Sequence, residues 1–301
     1  TNFLDEDGGV HADLTISRLG SNRYRIVTGG ADGNRDWVTL RNYRDDMGLD
    51  ADIKIRTHDI ATLGLWGPHA KNALGHFIDP NELSIENFPF VAAKNLTLNL
   101  SEGKKIDVWA SRISYVGESG WEIYLNNDSE EGLALYDSLL EVGVVPVGIE
   151  TYANSRRLEK SFRLQGADLE TDYNACESAI ERRLVKEADF HGKAAHLSHR
   201  EEEPSAILCT MTLDELNVSG TGDRYPVGTS PIIDPDTGEV PIDSKGRRSY
   251  TTGMSYCPSI KKFVVMGYLP KNIAKQGKSL ALEYFNEDGD GVYPMTVQIV
   301  G

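Results

Sequence analysis

The chain has 301 residues, 46 of them acidic and 31 basic, for a net charge of −15. That length allows two domains and a core large enough to fold without disulfides or a metal. The negative charge repels phosphate backbones and anionic lipid, so neither nucleic acid nor a membrane surface is an expected partner. No run of about eighteen apolar residues is present to span a bilayer, and no basic segment followed by an apolar one marks a signal peptide. Cys176, Cys209 and Cys257 lie far apart, neither a disulfide framework nor a metal-ligand spacing, which fits a reducing cytoplasm. His191, His196 and His199 form no ligand set with them, so no metal site is expected.

In chain order, Val10, Ala12, Leu14 and Ile16 alternate with His11, Asp13, Thr15 and Ser17, the period of a strand with one polar face. Gly20-Ser21-Asn22 then turns the chain, and Tyr24 and Ile26 resume the alternation, predicting a hairpin. A helix is expected from Asp36 to Met47, stopped by Gly48, followed by strands over Asp52–Arg56 and Thr62–Trp66. Gly67-Pro68 opens a helix over His69–Phe77. Asp107–Tyr124 reads as a second hairpin, with Gly117-Glu118-Ser119-Gly120 as its loop. Asp128, with Glu131 three residues on, predicts a capped helix that carries Leu133, Tyr136 and Leu140 on one face and ends at Gly143. A strand over Val144–Gly148 and a helix over Glu150–Ser161 follow. After the charge run and proline at Glu201-Glu202-Glu203-Pro204, five short strands are expected: Leu208–Leu213, Gly253–Tyr256, Phe263–Leu269, Leu280–Phe285 and Tyr293–Val300. The architecture is α+β over 1–203 and all-β over 204–301.

Few residues point to chemistry. Asp13 sits mid-strand on the polar face, where aspartate is disfavoured, and reads either as a solvated surface residue or as a reactive group. If the hairpin has a four-residue loop, Tyr115 faces Glu122 across it, and the two are either a surface pair or a pocket that stacks a heteroaromatic ring and accepts its N–H groups. Gly29-Gly30-Ala31-Asp32-Gly33 lacks the spacing of a dinucleotide fingerprint, and Gly166–Asp168 lacks a P-loop lysine. Arg156 and Arg157, with Arg163 beyond them, read as a solvated face or as a receptor for an anionic tail.

Six segments, in order, resemble the folate-binding aminomethyltransferases, the family of the glycine cleavage T-protein. LDEDGGVHADLTISRL is similar to the family's Gly-Gly turn and aspartate strand, and IATLGLWGPHAKNAL to its strand-turn-helix. RISYVGESGWEIYL resembles its YTGExGxE hairpin and is nearest to the dimethylglycine and sarcosine dehydrogenase branch. SRRLEKSFRLQGADLETDYNACES resembles its helix-loop, while YPVGTSPIID and GMSYCPSIKKFVVMGYLP resemble its C-terminal barrel.

The resemblance implies a T-protein-like core of interleaved α/β subdomains followed by a small β-barrel, with the strands that precede the aspartate strand missing from this chain. It carries the catalytic aspartate to Asp13 and the pterin-binding pair to Tyr115 and Glu122. Arg157, or alternatively Arg163, is the expected partner of the folate tail, replacing an arginine that the family often has where this chain reads Glu150-Thr151-Tyr152-Ala153-Asn154, and Tyr256 is a further candidate lining the ring. The implied cofactor is tetrahydrofolate, and the implied reaction is one-carbon transfer from a methylated amine to give 5,10-methylenetetrahydrofolate. Alternatives are an O- or S-demethylase that makes 5-methyltetrahydrofolate, and a non-catalytic folate module that captures formaldehyde. The expected partner is an N-terminal segment or a flavin-bearing demethylase of the same polypeptide or complex. The chain's acidity disfavours docking an acidic carrier protein.

Overall fold

A computed structural model describes residues 1–127, 129–213, 228–286 and 289–300. In chain order its first elements are β1 (Asn2–Leu4), β2 (Val10–Asp13), β3 (Thr15–Gly20), β4 (Arg23–Val27), α1 (Gly33–Asp46), β5 (Ile60–Trp66) and α2 (Ala70–Leu74). Then come β6 (Ala93–Asn99), β7 (Lys105–Ser111), β8 (Gly120–Asn126), α3 (Ser129–Glu141), a π-helical turn over Glu150–Ser155, and α4 (Arg156–Leu158). The rest comprises α5 (Lys193–Glu201), β9 (Ala206–Leu213), β10 (Ile232–Ile233), β11 (Thr251–Cys257), β12 (Lys262–Pro270), β13 (Ser279–Asn286) and β14 (Gly289–Val300). No described helix is long and apolar enough to cross a membrane. The chain forms two compact units, one of residues 1–33 with 153–301 and one of residues 34–152. The composition change near 203/204 falls inside the first of them.

The first unit is built on a six-stranded sheet in the order β10-β13-β14-β9-β12-β11. Its two ends meet: Thr251 N–H donates to Ser230 O at 2.9 Å and Ile232 N–H to Ser249 O at 3.3 Å, so the sheet curls toward a barrel. Strand β9 is buried along its whole length because it has a core on each face. Ile207, Cys209, Met211 and Leu213 enter the cluster with Phe263, Leu280 and Met295. Ala206 and Leu208 enter a second cluster with Leu158, Tyr173 and Tyr268.

An ion pair is enclosed in this unit. Arg157 is 1% exposed and Asp168 is fully buried, and the guanidinium Nη1 pairs with Asp168 Oδ2. Arg157 Nε also donates to Ala153 O at 2.9 Å and Nη1 to Phe162 O at 3.0 Å. Asp168 accepts in addition from Thr252 Oγ1 on β11 and from the Leu164 amide, and its carbonyl accepts from Tyr268 OH on β12. The expectation of a solvated arginine face thus fails at Arg157, because a carboxylate and two carbonyls compensate its desolvation.

The second unit is a four-stranded antiparallel sheet in the order β5-β8-β7-β6. One face, carrying Leu63, Leu65, Trp121, Ile123, Val108 and Ala110, packs on Leu74, Leu135 and Leu139 of the helices. The helix over 129–141 forms as expected, but Leu133, Tyr136 and Leu140 are its exposed large apolar residues. Two apolar stripes with helical spacing compete here, and contact with the sheet buries the one through Leu135 and Leu139. The Asp128 cap lies outside the described residues, as does the Tyr225–Val227 part of the first barrel motif.

Residues 52–56 and 144–148 belong to no sheet, so two expected strands are absent among the described residues. Residues 52–56 alternate and 144–148 are valine-rich around Pro146, but no described strand supplies a ladder to either, and Ile55, Val145, Val147 and Ile149 stay exposed. The helix expected over 150–161 shortens to the π turn and α4. The strand expected over Val10–Ser17 divides at Leu14, with β2 pairing β1 and β3 pairing β4.

Removing one partner of the buried pair strands the other charge. Arg157→Met is expected to destabilise the protein by about 3–5 kcal/mol, read as a lowered urea midpoint. The conservative Arg248→Lys should leave the midpoint unchanged within about 0.5 kcal/mol, since Arg248 is tied in by a backbone bridge to Ile242 that lysine retains.

Candidate active site

Glu122 is placed by strand periodicity. Its neighbours in β8, Trp121 and Ile123, are buried in the apolar core, so Glu122 and Tyr124 project from the opposite face. Across the ladder Glu122 faces Gly64 on β5 and Ser111 on β7. Gly64 provides a recess: the Trp66 indole lies over it, and a Cβ at residue 64 would coincide with that ring. Trp66 is held on two further sides, by its Nε1–H donating to Ile113 O at 2.9 Å and by stacking on Tyr152, with centroids 5.4 Å apart and planes at 19°. Tyr152 in turn meets the tilted ring of Tyr115 at 5.4 Å and 53°.

The result is a half-buried carboxylate beside three successive aromatic rings. Burial pushes the Glu122 carboxyl above the usual carboxylate range, and a hydrogen bond from the Tyr124 hydroxyl to Oε2 opposes that shift. Burial, and then the charge of Glu122, push the Tyr152 phenol upward in turn.

The expected hairpin geometry does not hold. Strand β7 leaves β8 at the Ser111–Glu122 pair, and residues 112–119 form a wide loop instead of a four-residue turn. Tyr115 therefore is not the cross-strand partner of Glu122. The loop is held away by Arg112 N–H donating to Ala92 O at 2.9 Å and Gly67 N–H to Ser119 O at 2.9 Å. Tyr115 reaches the cluster through Tyr152. Neither Trp66 nor Tyr152 was singled out from the sequence, although the glycine two residues before Trp66 on the same strand face was a usable signal.

The other candidates belong to the first unit. Asp13 ends β2, where Asn2 Nδ2 donates to its Oδ1 at 3.2 Å. The residue is open to solvent on one side, yet surrounding protein pushes its carboxyl above the ordinary value, chiefly by desolvation. Its strand is anchored by Gln165, whose Nε2 donates to His11 O at 3.2 Å, and by Val10 N–H donating to Tyr173 O at 3.2 Å. Arg157 spends its donors in the buried network described above. Arg163 donates to the carbonyls of Ser161, Ser178 and Ala179. Tyr256, 40% exposed on β11, meets Phe263 edge-on at 5.4 Å.

Comparison with known proteins adds to this geometry. Residues 1–187 match the family described as the GCVT N-terminal domain. The chain is similar to mitochondrial dimethylglycine dehydrogenase of Homo sapiens, 31% identical over 303 residues that cover 99% of this chain and 32% of that protein. It is similar also to the aminomethyltransferase of Symbiobacterium thermophilum, 30% identical over 272 residues, 88% of this chain and 66% of that one. The chain thus spans about a third of the length of the dimethylglycine dehydrogenases it matches. In fold it is similar to the crystal structure of glycine cleavage system aminomethyltransferase T from Bartonella henselae, with a TM-score of 0.74 over 99% of this chain and 73% of that chain at 22% identity.

The recess at residue 64 is open to a direct test. Gly64→Ala should displace Trp66 from Tyr152 at a cost of about 1–3 kcal/mol. The expected signature is loss of the aromatic near-ultraviolet dichroism with the far-ultraviolet spectrum retained.

Proposed function

The chain belongs to the GCVT family, and on that premise we propose that it carries tetrahydrofolate-dependent one-carbon transfer as part of a longer polypeptide or complex. The donor is a methylated amine whose carbon is at the formaldehyde oxidation level, and the product is 5,10-methylenetetrahydrofolate. The observation that carries this reading is the desolvated Glu122 carboxylate beside Trp66, Tyr152 and Tyr115.

The donor set fits the folate ring. A pterin offers a ring N–H and an exocyclic amine side by side, and one carboxylate accepts both. Glu122 has one hydrogen-bond donor on its own strand, Tyr124, and a carboxylate accepts at about four positions. The flat aromatic surroundings suit a flat heterocycle. When bound, tetrahydrofolate supplies the nitrogen nucleophiles that take the one-carbon unit.

Asp13 is assigned the electrostatic role. As an anion it orients the attacking amine and stabilises the positive charge that develops on the one-carbon carrier. Its raised pKa sets the pH dependence. Ionised Asp13 is lost as pH falls through that raised value, so turnover should decline at a higher pH than an ordinary aspartate would dictate. Arg157, first assigned to the folate tail, is given a positioning role instead, since its guanidinium holds Asp168 and the carbonyls of Ala153 and Phe162. Tyr256, 40% exposed on β11, is kept as a candidate for lining the ring.

Two variants separate the roles. With tetrahydrofolate, formaldehyde and methylamine supplied, Asp13→Asn should slow product formation about 10²–10³-fold and leave calorimetric folate affinity intact. An unchanged rate removes the catalytic role from Asp13. Glu122→Ala should weaken folate binding at least about tenfold, and an unchanged affinity places the ring elsewhere.

A further inference from the structure

We propose that Tyr124 is the positioning residue that holds the Glu122 carboxylate as acceptor for the ring's donor pair. This rests on the folate reading above and adds a residue that the comparisons do not assign.

Tyr124 lies two residues beyond Glu122 on β8, which puts both on the same sheet face, and its hydroxyl donates to Glu122 Oε2. The ring itself is buried, set in the ladder between Thr62 on β5 and Trp109 on β7. A tyrosine packed in this way presents its hydroxyl from a fixed point. The bond therefore fixes the plane of the Glu122 carboxylate before any ligand arrives, which removes rotamer entropy from the binding step.

The second consequence is protonation. A neutral carboxyl carries its own proton toward the ligand and loses one acceptor, so it cannot match two adjacent N–H donors. The carboxylate must be ionised, yet burial opposes that. The cross-strand partners of Glu122, Gly64 and Ser111, do not titrate near neutrality. From the 150–155 turn the titratable neighbour is Tyr152, a neutral phenol whose own pKa is raised by burial and then by Glu122. The Tyr124 hydroxyl is the group that counters desolvation. It keeps Glu122 ionised to a lower pH than burial alone would allow.

The test is folate affinity against pH, with 5-formyltetrahydrofolate as the probe, because its blocked N5 does not titrate in the range. Wild-type affinity should weaken as pH falls through the Glu122 midpoint. Tyr124→Phe keeps the buried ring and removes the donor, so the midpoint should move up by about one pH unit, a tenfold loss between the two midpoints. In Glu122→Gln the pH dependence should vanish, and adding Tyr124→Phe to it should restore none. Should Tyr124→Phe fold poorly, fluorinated tyrosine at position 124 serves instead: its more acidic hydroxyl strengthens the bond and should move the midpoint down. Wild-type and Tyr124→Phe proteins that bind with one shared midpoint overturn the role of Tyr124. Absence of probe binding by the wild type overturns the folate reading itself.

Discussion

The enclosed pair of Arg157 and Asp168 is the constraint on which the first unit depends. Neither charge has access to water, so each must be compensated by protein groups. The groups that do so come from the turn that precedes α4, from the 162–168 loop and from strands β11 and β12, the last through Met266 Sδ. Satisfying the two charges thus fixes how a short helix and an irregular loop sit on the sheet. Glycine at 253 belongs to the same constraint, because a Cβ there would strike the Arg157 guanidinium. Ser178 and Tyr268 extend the network by a hydroxyl bond of 2.7 Å, and Tyr268 stacks on Tyr173 at 3.4 Å. From that loop Gln165, and from its far side Tyr173, reach the backbone of β2. The strand that carries Asp13 is therefore tied to the loop that holds Asp168.

The second unit works by a different rule. Its sheet sorts side chains by the period of two, apolar residues toward the helices and Glu122 and Tyr124 away from them. Partial burial on the polar face gives the carboxylate its altered proton affinity, and Trp66 stacks on Tyr152 over the neighbouring Gly64. Gly64 is the enabling residue: with no side chain in that row, Trp66 lies flat and carries Tyr152 on its outer surface. A carboxylate in water gains little from a hydrogen-bonding ligand, whereas a desolvated one gains much more.

Much of the fold is legible in the residues themselves. Alternation and turn residues locate the β3–β4 hairpin, β5 and the five longer C-terminal strands, because those signals are local. Gly48, with φ of +60°, and Gly143, with φ of +88°, mark helix ends at left-handed positions that glycine adopts without strain. Where local signals are degenerate the reading fails. The segment at 144–148 is rich in valine like a strand, but a strand needs a partner, and pairing is not encoded in one segment. On α3 two apolar stripes satisfy the helical period, and only the sheet beneath selects between them.

For the site, the residue types and spacing single out Asp13, Tyr115 and Glu122 through a family pattern, and fix by periodicity which face Glu122 takes. Local sequence determines these things because strand period, turn chemistry and net charge act over a few residues or over the whole chain without regard to partners. The tertiary structure alone decides that Arg157 is an internal counter-ion, that Tyr115 sits on a wide loop, and that Trp66 lies over Gly64, opposite Glu122, and stacks on Tyr152. Each of these depends on which distant group comes to lie opposite, and on whether water is excluded there. Desolvation and contact are properties of the assembled fold, so no reading of neighbouring residues contains them.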